Sequence, residues 1–224
     1  MFKAIFYKEW IKTRWYFLIS MLVTLGFTAF QLLRVSRAMT LHDGPAFFWE
    51  VMIMKGNILI DSLQFIPIGV GIIWALVQYV PEVNNKCLKL SLHLPYSQLK
   101  ITFSMLASGF ALLMVCYLLN FTMLYIFFNS YFAPELVRYV LVTALPWFMA
   151  GVAGYLLFTW ICLEPTWKMR VFNLVVSAFV LKIYFISTIP GSYAPFLGIL
   201  AVGTLLLFAL SWLSVVRFKE GKQD

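Results

Sequence analysis

Apolar residues fall in blocks of about twenty separated by short polar segments, a pattern that predicts helices long enough to cross a bilayer. The blocks are 15–33, 62–80, 101–128, 139–162, 171–189 and 196–216, giving an all-α membrane protein of six spans. Ahead of them, residues 1–14 place Phe2, Ile5, Phe6 and Trp10 on one helical face, with Lys3, Lys8 and Lys12 away from its centre. That is the pattern of a short interfacial helix. The block 15–33 is long and lacks a small-residue cleavage site, so it reads as a first span rather than a signal peptide.

Residues 34–61 are too long for a tight turn and are partly apolar. Asp43-Gly44-Pro45 supplies a turn followed by Pro at a helix start. Glu50, Lys55 and Asp61 argue against a separate span, so an extracytoplasmic helix is expected, running on into the second span with a bend near Gly56. On such a helix Glu50, Asn57, Asp61 and Gln64 share one face. The stripe either borders an outer exit, where Asp61 and Gln64 meet polar parts of a cargo, or is the water-facing side of an exposed helix. Pro67 and Pro146 are expected to kink the second and fourth spans.

Composition agrees with the blocking: 62% of the 224 residues are hydrophobic and only 12% charged, half the charge that coats a soluble globule. A soluble domain and a disordered chain are both excluded. The net charge of +8 would raise nucleic acid in a soluble protein, but here it belongs to topology. Twelve Lys and Arg lie in the N-terminus, the 81–100 loop, the fourth-to-fifth loop and the tail at 217–224, against Arg34, Arg37, Lys55 and Arg138 on the other side. The asymmetry places both termini in the cytoplasm, with lipid as a partner and no nucleic acid. Trp15, Trp160 and Trp212 near inner ends, and Tyr131, Tyr139 and Tyr193 near outer ends, fit interfacial belts.

No catalytic constellation is present. His42 and His93 fall on opposite sides, and H-E-x-x-H, G-x-S-x-G and paired intramembrane carboxylates are all missing. No G-x-x-x-x-G-K-[ST] loop occurs, since Gly221-Lys222 stands alone. Cys87, Cys116 and Cys162 form neither a disulfide framework nor a metal site. The chain is therefore expected to be a non-enzyme with no cofactor or metal of its own.

The loop 81–100, PEVNNKCLKLSLHLPYSQLK, is the most informative segment. Leu88, Leu90, Leu92 and Leu94 alternate with Lys89, Ser91 and His93. A lone strand at a membrane surface would expose an unpaired edge, so a short interfacial helix ended by Pro95 is preferred. The order of a basic amphipathic helix, a first span, a large outer excursion and a second span, then an acidic residue, a leucine-rich run and Leu-Pro, resembles the permease subunits of type-2 ATP-binding-cassette (ABC) exporters. In that family the corresponding loop forms a coupling helix that docks on the ATPase. The resemblance assigns docking to Glu82, Leu88, Leu92, Leu94, Pro95 and Lys100, and makes Lys8, Trp10 and Lys12 part of an elbow helix at 1–14. It departs from the family at Val83-Asn84-Asn85-Lys86-Cys87, where a Gly-Thr often precedes the leucines.

The resemblance implies a subunit of the cytoplasmic (inner) membrane that pairs with a second permease copy, the same or similar, and with a P-loop ATPase carrying ATP and Mg. The residues 15–216 would form the transmembrane domain. An ion-coupled secondary transporter or channel using Asp61 and Lys182 is the competing reading. Lys182 lies about 140° from the Asn173, Ser177, Tyr184 and Ser187 stripe of the fifth span, so it either snorkels or pairs with Asp61. The stripe itself is expected to serve interhelical hydrogen bonding. Gly151 and Gly154, with Ala150 and Ala153, predict one face of the fourth span for close helix approach. Asn120-Phe121-Thr122 matches a glycosylation acceptor in letters only, because it lies within the third span. Nothing in the sequence selects the cargo.

Overall fold

A computed structural model describes residues 2–41, 58–85, 98–187 and 189–219. The helices are α1 (Phe2–Leu41), α2 (Ile66–Asn84), α3 (Gln98–Tyr131), α4 (Pro134–Leu163), α5 (Trp167–Ile183) and α6 (Leu197–Lys219). Short 3-10 turns at Asp61–Leu63 and Ala194–Phe196 precede α2 and α6, and no strand occurs among the described residues.

Among the described residues, five of the six α-helices, α1, α2, α3, α4 and α6, are long and apolar enough to cross a membrane, the second and the last counted with the turn before them. The 17-residue α5 falls short of the ~20 residues that a crossing requires. It stops at Ile183, before the expected 189, where the amides of Tyr184 and Phe185 bond the carbonyls of Leu181 and Lys182. The chain then turns through Gly191, whose φ of 71° suits glycine, and the Gly191 amide donates to Thr143 Oγ1 at 2.9 Å.

The helices alternate in direction. The starts of α1 and α3 meet the ends of α2 and α4 through shared hydrogen bonds, and the end of α6 meets the end of α4 and, through it, the start of α5. We call this the proximal end. Within the bundle α4 is central: 72% of its most apolar window is buried, against 22% for α1 and for α6. At the crossing of α2 and α4 the backbones touch. A Cβ on Gly71 would lie 2.0 Å from the Gly151 carbonyl oxygen, and one on Gly151 would meet Tyr117 Oη and the Pro67 carbonyl. The small face expected on the fourth span is thus in use, with Gly71 as its counterpart.

α1 is inverted relative to a helix of a soluble protein. Its buried residues include Glu9, Thr13, Thr24, Thr28 and Gln31, while Trp15, Leu18, Ile19, Leu22, Phe30 and Leu33 are exposed. Water would not tolerate that arrangement, whereas hydrocarbon favours it because lipid tails are as apolar as Leu. At about 1.5 Å per residue the 40 residues of α1 extend roughly 60 Å, twice the thickness of a hydrocarbon core.

Two sequence expectations change. Residues 2–14 belong to the same uninterrupted helix as 15–33, because nothing between Phe2 and Trp15 breaks it. The second span does not continue upstream as one helix. Residues 58–65 form a turn and a 3-10 segment, and α2 begins at Ile66 with Pro67 in its first turn. There the missing N–H costs nothing, so Pro67 starts the helix rather than kinking it. Pro146 does lie inside α4.

Candidate functional site

The proximal end carries a buried ionic junction. Lys12 Nζ donates to Glu82 Oε1 and to the Gln78 carbonyl, both at 2.9 Å, and lies 2.9 Å from Glu9 Oε2. Lys8 Nζ sits 3.0 Å from Glu82 Oε1. Gln78 Nε2 donates to Glu9 Oε2 at 3.1 Å and to the Met105 carbonyl at 3.0 Å, and Tyr155 Oη donates to Gln78 Oε1 at 2.9 Å. Four helices therefore share one hydrogen-bonded network.

Its charges balance, with two lysines against two glutamates. Glu9 and Glu82 are 1% and 3% exposed, whereas the Lys8 side chain is 46% and the Lys12 side chain 22% exposed. The lysines lay their stems along the bundle and lead the charge toward the polar boundary. A buried carboxylate is tolerable only when paired and hydrogen-bonded, and each acid here meets an ammonium group. Close packing holds the geometry: a Cβ on Gly109 of α3 would lie 2.1 Å from Gln78 Oε1 and 2.2 Å from Tyr155 Oη.

A second junction closes the same end. Glu164, 1% exposed at the C-cap of α4, accepts from Ser214 Oγ of α6 at 2.5 Å, and Arg217 Nη1 lies 3.7 Å from its other oxygen. Arg170 Nε of α5 donates to the Glu164 carbonyl at 2.6 Å. One residue thus ties α4, α5 and α6 together.

Of the residues expected to couple or to form the elbow, Lys8, Lys12 and Glu82 come together in the ionic junction. Trp10 is half-buried, its ring 5.8 Å from Phe17, which in turn meets Trp74 edge-on. Lys100 is exposed in the first turn of α3. Leu88, Leu92, Leu94 and Pro95 lie outside the described residues, as do Glu50 and Asn57.

At the opposite end Asp61 is held by α1. Arg34 Nη1 donates to Asp61 Oδ1 at 3.2 Å, and Gln31 Nε2 donates to the Leu59 carbonyl at 2.6 Å. The Asp61 oxygen also caps the Ser62 amide at 2.8 Å. Lys182 is exposed and makes no ion pair among the described residues, so the Asp61–Lys182 pair is not formed. Gln64 is half-buried in the turn before α2. The polar stripe does not continue as a helical face through residues 58–65, because no α-helix forms there. Asn173, Ser177 and Tyr184 do face inward, but Ser177 Oγ donates to the Asn173 carbonyl of its own helix rather than across to a neighbour.

Sequence reasoning missed Glu9, Gln78, Tyr155 and Glu164. A signal for the first existed: Glu9, Thr13, Ser20, Thr24, Thr28 and Gln31 recur at the three-, four- and seven-residue steps of one helical seam. In mid-bundle that seam meets α3, where Thr28 Oγ1 donates to Asn120 Oδ1 at 2.8 Å and Asn120 Nδ2 donates to Thr24 Oγ1 at 2.9 Å. Among the described residues no group of three or more His, Cys, Asp or Glu is arranged to hold a metal. No family model, curated protein or solved structure matches the chain.

Proposed function

We propose that this chain is the membrane subunit of an ATP-driven exporter, with its proximal end in the cytoplasm, α5 as a sixth, short crossing, and residues 81–100 as the docking segment for a separate P-loop ATPase. A second permease copy completes the path. The chain transmits force and shapes the route, while ATP and Mg act on the partner.

The ionic junction carries this reading. Segment 86–97 is flanked by the end of α2 and the start of α3, and both flanks are bonded into the junction: Glu82 and Gln78 on one side, the Met105 carbonyl on the other. A load applied to that segment reaches α1 through Lys8 and Lys12 and central α4 through Tyr155. Rigid, packed helices that share hydrogen bonds move as a unit, which is what a transmission requires. The first turns of α1 then act as an arm that prolongs the span beyond the bilayer. The competing ion-path reading loses its main support, because Asp61 is engaged by Arg34 near the surface and Lys182 stands apart.

The test is purification of the tagged chain from its native membrane, followed by identification of co-purifying nucleotide-binding subunits. A P-loop ATPase is expected in the complex, and Leu92→Asp with Leu94→Asp is expected to release it while the membrane subunit still purifies. Recovery of the chain without any such ATPase, or an intact active complex from the double variant, removes the exporter reading.

A further inference from the structure

At the proximal end a groove of about 270 Å³ lies between α3 and α6. Thr102 and Leu106 form its floor, 6% and 2% exposed, while Phe103, Phe208 and Trp212 are among its walls and Ala209 stands exposed at its edge. The wall is braced: the Phe208 ring lies 5.4 Å from Phe110, edge-on, and 6.4 Å from Phe103. Aromatic packing therefore fixes the position of the Phe208 wall.

We propose that this groove binds one acyl chain of an anionic phospholipid, whose phosphate meets Lys100. Three observations select that occupant. The lining is apolar apart from Thr102, which suits hydrocarbon. The volume lies just below the roughly 300–1,000 Å³ of sites for compact drug-sized ligands, so it fits a narrow chain better than a fused-ring molecule. A cation adjoins the lining: Lys100 follows Leu99 of the groove in the first turn of α3 and is exposed, with no ion pair among the described residues. Trp212, at the interfacial end of α6, marks the depth at which a headgroup meets its chains. The site holds whether or not the chain belongs to an exporter.

Native mass spectrometry of the delipidated full chain, titrated with phosphatidylglycerol and with phosphatidylcholine of the same acyl composition, tests this. Wild type should take up one phosphatidylglycerol saturably and in preference to phosphatidylcholine. Ala209→Trp places an indole at the edge of the groove, and because Ala209 is exposed the fold accommodates it. That variant should bind the first lipid about tenfold more weakly, the equivalent of about two lost methylene contacts. Lys100→Gln should erase the headgroup preference while leaving phosphatidylcholine uptake unchanged. Non-saturable adducts in wild type, undiminished binding in Ala209→Trp, or a preference retained in Lys100→Gln would each overturn the proposal.

Discussion

Lys12 and Glu82, 70 residues apart in sequence, meet at 2.9 Å and join the start of α1 to the end of α2. The same ammonium lies 2.9 Å from Glu9, so one lysine bridges two buried acids. Replacing it with Met leaves Glu9 without an ammonium and Glu82 with Lys8 alone, and breaking a buried pair from one side costs about 3–5 kcal/mol. Lys8, nearly half exposed, contributes on the scale of surface pairs, about 0–1 kcal/mol. Thermal unfolding in detergent should therefore show a large loss for Lys12→Met and little for Lys8→Met. Equal effects would mean that Lys12 does not hold the junction.

The α2–α4 contact predicts an asymmetry among glycines. A methyl group at Gly71 collides with backbone, the Gly151 carbonyl, and cannot be relieved by a rotamer change. Gly71→Ala should cost about 1–3 kcal/mol or more through forced separation of the helices. Gly26 and Gly203 have open space where a Cβ would stand, so alanine there should be neutral or stabilise by up to about 1 kcal/mol through helix propensity. Comparing the three variants by heat denaturation checks the contact directly.

Asn120 is 1% exposed and joins α3 to Thr24 and Thr28 of α1. A double-mutant cycle of Asn120→Ala with Thr28→Val should return a coupling of about 0.6–1.7 kcal/mol, the range for hydrogen bonds between membrane helices. A zero coupling would show that the seam packs without bonding.

At the other end, the Arg34–Asp61 pair is exposed on both sides. Asp61→Asn and Arg34→Gln should couple by no more than about 1 kcal/mol, an amount that falls further in high salt. Asp61→Asn and Lys182→Met should be additive, since these residues share no contact. A measurable coupling between Asp61 and Lys182 would contradict the placement.

Much of the bundle could be read from hydropathy, because hydrocarbon imposes a length and a composition on every crossing. The blocks at 101–128 and 139–162 lie inside α3 and α4, and the small face at Gly151 follows from residue size alone. The start of α2 was not legible, because 58–65 is rich in Ile, Leu and Phe and yet turns, with Gln31 and Arg34 of α1 holding that turn. Lys8, Lys12 and Glu82 each stood out by charge and position. Their meeting did not, since no local periodicity links residues so far apart in sequence. Glu164 was hidden for the opposite reason: a charge at the end of a span reads as ordinary, and only Ser214, 50 residues on, shows it to be enclosed.

The inverted face of α1 bears on biogenesis. During synthesis this helix enters the bilayer before its partners exist, with Glu9, Thr24, Thr28 and Gln31 uncovered. Asn120, which receives Thr28, is made 92 residues later. Ribosome-bound chains that stop short of α3 therefore carry a polar seam into lipid unmet, and such truncated products are the ones that a membrane chaperone or protease should recognise first.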